Sequence, residues 1–146
     1  MATILSLLKK IEALDTDKIA VDSISDSKEQ LEEKNKEQIY SGEKKDGTEI
    51  IPTYRPLTIF LKQQKGQPTD RVTLFDTGSF YNGMYVNVSS SGVTIDSTDQ
   101  KTKQLQEKYT DKIFGLNDKF RIEYIKNSLS PVFKSKMEAA TGLQFK

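Results

Sequence analysis

The chain has 146 residues and contains no cysteine, histidine or tryptophan. That length suits one domain, and the missing side chains exclude disulfides, zinc–thiolate sites, thiol nucleophiles and every catalytic arrangement built on histidine. With 22 basic against 21 acidic residues and only 35 % apolar content, the chain has a thin supply of core and no net bias toward nucleic acid.

Residues 3–14 predict a short amphipathic helix, with Ile4, Leu7, Leu8, Ile11 and Leu14 on one face. Asp15-Thr16-Asp17 breaks it. From about Asp22 to Tyr40 the pattern is helical but lean: Ile24, Leu31 and Gln38 recur every seven residues and charges cover the rest. Such a stripe buries little, so Ile24, Leu31 and Gln38 stand as candidate subunit-interface positions, with a plain surface helix of the monomer as the alternative. Together, residues 1–40 read as a helical N-terminal arm.

A loop is expected over 41–55. Gly42 suits a helix C-cap, Asp46-Gly47 is a turn pair, and Thr48 to Tyr54 is extended around Pro52. Pro56 to Gly66 carries a helix signature: proline in the first turn, Leu57, Phe60 and Leu61 on one side, and glycine at the end. A strand over 57–61 is the alternative. From Thr77 to Ile95 there is no charge at all. Within this stretch Met84, Val86 and Val88 alternate with Tyr85 and Asn87, and Val93 and Ile95 alternate with Thr94 and Asp96. The pattern predicts a β-hairpin over 84–96 with one buried face. Its uncharged outer face makes Tyr85 and Asn87 further candidate interface positions, or positions covered within the monomer.

Ser97-Thr98-Asp99 offers N-caps for a helix to about Tyr109, and Ile113-Phe114-Gly115-Leu116 forms an apolar corner. Asn117 then caps a C-terminal helix over 117–142, with Pro131 expected to kink it and Gly142 to end it. The fold class is α+β: residues 1–146 form a single domain with an α+β core over 56–116. A small, mostly antiparallel sheet with a central β-hairpin is packed by N-terminal and C-terminal helices.

Charge is uneven along this plan. Residues 1–40 carry six lysines against nine acids, whereas residues 98–146 carry ten bases against six acids. Opposite ends of neighbouring copies would attract head to tail, although ordinary solvated helix faces account for the same counts. The first ten residues lack the basic region and cleavage site of a signal peptide, and nothing approaches a membrane span, so synthesis in a reducing, intracellular setting is expected.

Carboxylates are the remaining catalytic candidates. Asp76, Asp96 and Asp99 lie beside the β region, where three acids could hold Mg²⁺, but their spacing matches no metal loop and turn or cap roles account for them. Lys62 and Lys65 have no context for a nucleophile, and Gly78 and Gly83 are not followed by the Gly-Lys-Ser/Thr of a phosphate loop. Phe80, Tyr81 and Tyr85 lack the interleaved basic residues of a base-stacking surface. No enzyme, metal or cofactor is expected.

The stretch Leu74-Phe75-Asp76-Thr77-Gly78-Ser79-Phe80-Tyr81-Asn82-Gly83 resembles the leucine, threonine-glycine, leucine-or-phenylalanine signature of phage virion-morphogenesis proteins. These are the tail-completion, or head–tail joining, proteins of tailed bacteriophages. The resemblance spans about residues 36–120, including Gln38 to Gly42, Asp46-Gly47, the two hairpin strands, Tyr109 and Gly115. It departs at 113–116, where Ile-Phe-Gly-Leu stands in place of the family's late proline-arginine-phenylalanine segment. It implies a virion structural protein at the head–tail junction, a neck ring or connector subunit. Its expected partners are itself (about six copies), portal or adaptor proteins and tail proteins. The expected location is the virion neck and, during assembly, the host cytoplasm. The motif itself is structural: Gly78 permits a sharp turn, Asp76 or Thr77 bonds back to it, and Leu74 and Phe80 enter the core on either side. In this role the loop bearing Lys44, Lys45, Asp46, Gly47 and Arg55 would reach a partner or DNA in the channel, its charges balanced so that DNA slides without sticking. Two rival functions are a small nucleic-acid-binding or regulatory module acting through the basic C-terminal third, and a carboxylate–metal enzyme.

Overall fold

A computed structural model describes residues 3–144, and over them the fold is α+β, with N- and C-terminal helices flanking one antiparallel hairpin. The N-terminal arm divides into α1 (Ile4–Glu12), α2 (Thr16–Asp26) and α3 (Lys28–Tyr40). Thr3 and Asp15 open the first two as N-caps, accepting from Ser6 N and Lys18 N. The single helix expected from Asp22 to Tyr40 is instead interrupted at Ser27. There the hydroxyl bonds back to Ser23 O (2.7 Å) and meets Tyr124 Oη (2.7 Å), and such back-bonding competes with the regular ladder.

At the end of α3 the chain closes in a Schellman motif. Gly42 takes φ +81°, its N–H donates to Ile39 O (2.8 Å), and Glu43 N donates to Gln38 O (3.1 Å). The loop that follows is a miniature hairpin: Glu43 bridges Glu49, and Gly47 turns at φ +84°. The Pro56 helix forms as α4 (Pro56–Gln64) rather than as a strand. After the short α5 (Ser79–Asn82), β1 (Met84–Ser89) pairs with β2 (Gly92–Ser97), placing Val86 opposite Ile95 and Asn87 opposite Thr94. Met84 and Val86 are buried while Tyr85 and Asn87 face outward, as the alternation predicts for β1; on β2 the expected buried face is incomplete, since Ile95 is half-buried and Val93 is exposed.

Helix α6 (Thr102–Tyr109) starts later than the caps at 97–99 suggest, because Thr102 turns its hydroxyl to Ser97 O (3.2 Å). A one-turn 3-10 helix (Asp111–Ile113) leads to α7 (Asp118–Tyr124), capped by Asn117 accepting from Phe120 N (3.3 Å). The C-terminal helix expected over 117–142 is three segments: α7, a π-helical turn (Ile125–Leu129), and α8 (Ser130–Thr141). Pro131 sits in the first turn of α8 and has no N–H to give to the preceding turn. The widened turn ahead of it accommodates the ring. Gly142 ends α8 at φ +73°.

The core comprises two clusters. One gathers Ile39, Ile50, Val72, Phe80, Met84, Tyr109, Ile113 and Phe114, so both the arm and the 41–55 loop contribute to it. The other gathers Leu31, Val86 and Tyr124 beneath Ile24, Ile95 and Leu129. Between them lies a polar clamp. Asn35 and Gln38, both 0 % exposed, stand one turn apart on α3 and bond the backbone of the corner at 113–117. Asn35 Nδ2 donates to Ile113 O (3.1 Å) and Asn35 Oδ1 accepts from Gly115 N (3.0 Å). Gln38 Nε2 donates to Gly115 O (2.7 Å) and Gln38 Oε1 accepts from Asn117 N (2.7 Å). Replacing Gln38 by leucine preserves bulk but orphans both backbone groups. At roughly 1–3 kcal/mol for each buried unsatisfied group, Gln38→Leu is expected to lower unfolding stability by about 2–5 kcal/mol in chemical denaturation. A loss below about 1 kcal/mol would show that the clamp does not hold the corner.

Candidate functional site

The threonine-glycine stretch forms a sharp structural turn. Gly78 adopts φ +92° as the residue preceding α5, Thr77 Oγ1 accepts from Ser79 N (3.3 Å), and Phe80 is buried while Leu74 packs against the same cluster. Leu74 is itself left-handed (φ +55°), which strains a residue with a side chain, whereas Gly78 takes its positive φ freely. Asp76 does not bond back to the turn. Its carboxylate pairs with Lys65, which holds it below the usual carboxylate range. Tyr81 donates its hydroxyl to Thr73 O, and burial pushes the phenol far above its ordinary value, so it serves as a fixed donor.

Helix α4 grips this turn by its polar side. Lys62 is buried, with Nζ donating to Phe75 O (2.6 Å) and Gln67 Oε1 (3.3 Å) and lying 4.8 Å from the centre of the Tyr54 ring. Gln67 Nε2 donates to Asp76 O (2.8 Å), and Lys65 pairs with the Asp76 side chain. Three polar clasps therefore join residues 75 and 76 to α4 and the segment that follows it: Lys62 from the helix, Lys65 from its C-cap and Gln67 from just beyond. The apolar side points away: Leu57, Phe60 and Leu61 are 69, 56 and 50 % exposed, whereas Lys62 is 8 % exposed. An ordinary amphipathic helix has the reverse orientation. A cavity of about 170 Å³ beside Lys62 and Gly78 contains no nucleophile paired with a base, and the ammonium is already occupied by the Phe75 carbonyl.

On the opposite cluster, an apolar groove of about 510 Å³ opens between β2, the 114–116 corner and the π-helical turn. Leu31 and Tyr124 form its floor, Val93 and Ile125 its partly exposed lips, and Lys45 and Arg121 its charged rim.

The remaining candidate positions fall in different places. Leu31 and Gln38 are buried within the subunit, one in the second cluster and one in the clamp, which corrects their assignment to a subunit interface. Ile24 is half-buried against the same cluster. Only Tyr85 and Asn87 of that set remain on the surface. The loop at 44–47 is exposed from Lys45 to Gly47 and tied to the corner at 112–117. Lys45 N donates to Lys112 O (2.7 Å), Asn117 Nδ2 donates to Lys44 O (3.3 Å), and Asp46 is bonded by Thr48 and Lys112, which draws its carboxyl well below the usual range. Arg55 is not brought to this loop; it precedes α4 and is exposed. Asp76, Asp96 and Asp99 are engaged separately, by Lys65, Ser97 N and Lys101 N. Among the described residues no group of three or more acidic side chains is placed to hold a metal ion, and no helix is long and apolar enough to cross a membrane.

Lys62, Asn35 and the outward face of α4 were not foreseeable as site features. Lys62 lies opposite Leu57, Phe60 and Leu61 on the helix, where a solvated lysine is the normal expectation. Comparison of the chain with models of protein families, with curated proteins and with solved structures finds no match.

Two outcomes check the turn. A Cβ at Gly78 would meet Phe75 Cε2 only at 3.4 Å, so the penalty of substitution is conformational rather than a clash. Gly78→Val is expected to cost about 1–3 kcal/mol, and a valine variant melting with the parent would show that the turn does not require glycine. The Asp76 carboxyl, lowered in the folded state, contributes stability above its unfolded range that is lost as pH falls through the folded value; half-exposed, it amounts to less than about 1 kcal/mol. Carboxyl-carbon NMR should place its midpoint below that of an ordinary aspartate, with Lys65→Met moving it back up. An unmoved midpoint would show that the pair does not persist in solution.

Proposed function

We propose that this chain is a structural subunit of a homo-oligomeric assembly, and that the assembly is the head–tail junction of a tailed bacteriophage, where the chain acts as a tail-completion or neck-ring component. The observation that carries the assembly reading is the orientation of α4. A helix anchored by a buried lysine leaves three large apolar side chains in water, and contact with a neighbour would recover the free energy that this exposure forgoes. A second apolar helix face, on α1, points the same way.

The phage assignment rests on the resemblance of residues 74–83. Gly78 with positive φ, the Thr77 bond to Ser79 and the inward Phe80 give that motif a structural role, in keeping with a virion protein that does its work by holding shape. Copies of itself, about six in a ring, with portal or adaptor and tail proteins above and below, are the partners this reading assigns. The location is the virion neck, reached from the host cytoplasm. No residue is given a catalytic role. The 44–47 loop, stitched to Lys112 and Asn117, takes the part of a rigid surface rather than a reaching finger.

Light scattering across a wide concentration range, with electron microscopy of the purified protein, tests the proposal. Discrete oligomers or rings are the expected result. A chain that stays strictly monomeric at high concentration and forms no ring would overturn it.

A further inference from the structure

The most exposed apolar helix is also the least attached. No residue of α1 is buried, Ile4, Leu5, Leu8 and Ile11 are between 45 and 77 % exposed, and within its own subunit α1 reaches α8. Ile4, Leu8 and Ile11 stand at i, i+4 and i+7, positions of the anchor spacing by which amphipathic helices enter apolar grooves, while Leu7 is half-buried within its own subunit. The same chain presents such a groove, about 510 Å³ in volume, between β2 and the π-helical turn. A dry cavity of ~150 Å³ holds one benzene-sized group, so this groove has room for several aliphatic side chains.

Charge favours the match. Lys45 and Arg121 stand at the rim of the groove. On the helix, Glu12 flanks the apolar stripe and Asp15 and Asp17 follow directly, while Lys9 and Lys10 fall outside the stripe at 100° per residue. The wider distribution agrees: residues 1–40 carry six bases against nine acids, and residues 98–146, which include Arg121, carry ten against six.

We infer that α1 of one copy docks in the β2–π-turn groove of a second copy, with Ile4, Leu8 and Ile11 against Ile125, Val93 and the groove floor. The inference rests on the assembly reading above and specifies its contact. Because the two surfaces differ, the contact is heterologous: repeated, it closes a ring where the rotation permits and otherwise extends a filament.

The native chain has no cysteine, so single cysteines report on chosen pairs without interference. Leu8→Cys chains are mixed with Ile125→Cys chains and treated with a short bismaleimide; parallel mixtures pair Leu8→Cys with Phe60→Cys. Docking predicts a covalent dimer in the first mixture, in excess of either chain alone and of the Phe60 mixture. In a companion measurement, Leu8→Glu with Ile11→Glu leaves the far-ultraviolet circular dichroism spectrum unchanged, because both positions are exposed and the subunit fold does not need them. It raises the dissociation constant of the assembly at least about tenfold, because two anchors are lost. Assembly of the parent chain without the Leu8–Ile125 product, or with cross-linking directed to Phe60 or to a second Leu8, overturns the groove and leaves the assembly reading standing. A parent chain that is monomeric throughout and yields no product overturns both.

Discussion

Everything in this fold leans on two side-chain amides. Asn35 and Gln38 lie without solvent exposure on adjacent turns of α3, and their four hydrogen bonds run to the backbone at 113, 115 and 117. An irregular segment in a protein interior must satisfy its N–H and C=O groups somewhere, and here helix side chains do what a neighbouring strand would do elsewhere. The corner fixed in this way holds other parts in turn. Asn117 caps α7 with its Oδ1 and holds Lys44 O with its Nδ2, while Lys112 O receives Lys45 N. Remove the amides and the helical arm, the 43–49 loop and α7 lose their common attachment.

This dependence follows from the sparse apolar content. A lone two-stranded hairpin is marginal in water, and the hairpin here survives because α3, α2 and α5 cover its inner face. The apolar residues divide between two clusters, neither of them large, and polar clasps join the pieces: the amide clamp, the Ser27–Tyr124 hydroxyl pair, and Lys62 on the Phe75 carbonyl. Among the described residues none of the buried side-chain polar atoms lacks a partner. Satisfied networks of this kind specify a unique arrangement, because each member left alone incurs a desolvation penalty.

What could be read from the sequence was local. The Asn117 cap, the Gly42 and Gly142 helix ends, the Asp46-Gly47 turn, the Pro56 start and the hairpin with its alternation along β1 depend on residues within a few positions of one another, and each lies where its signal puts it, whereas Val93 on β2 is exposed against its pattern. What could not be read was direction. A heptad stripe of Ile24, Leu31 and Gln38 says that three residues share a face, but not that the face turns into its own subunit. Gln38 finds its partners 77 and 79 residues away, and no local pattern encodes that pairing. The break at Ser27 has the same origin, since its hydroxyl meets Tyr124 across 97 residues. For the Thr77-Gly78 turn, conformation was legible and chemistry was not: the grip of Lys62 on Phe75 O reverses what helix amphipathicity leads one to expect.

That reversal has an energetic consequence. Fully burying a leucine or phenylalanine side chain contributes about 1.5–3 kcal/mol, and α4 leaves half or more of three such residues in water. The opposite face buries an ammonium, which is tolerable only because a carbonyl, an amide oxygen and an aromatic ring receive it. Rotating α4 to bury its apolar stripe would return Lys62 to water and leave Phe75 O without the ammonium that holds it. The polar anchoring of the threonine-glycine turn and the outward stripe are therefore one choice, not two. A neighbour covering Leu57, Phe60 and Leu61 would gain their burial without disturbing the turn, since Lys62 sits on the far side of the helix and Lys65 and Gln67 follow its end. The same logic holds for α1, where Ile4, Leu5, Leu8 and Ile11 are exposed while Thr3 caps the first turn. On a body this small, two such faces on separate helices permit contacts that propagate from copy to copy, where a single shared patch would stop at a dimer.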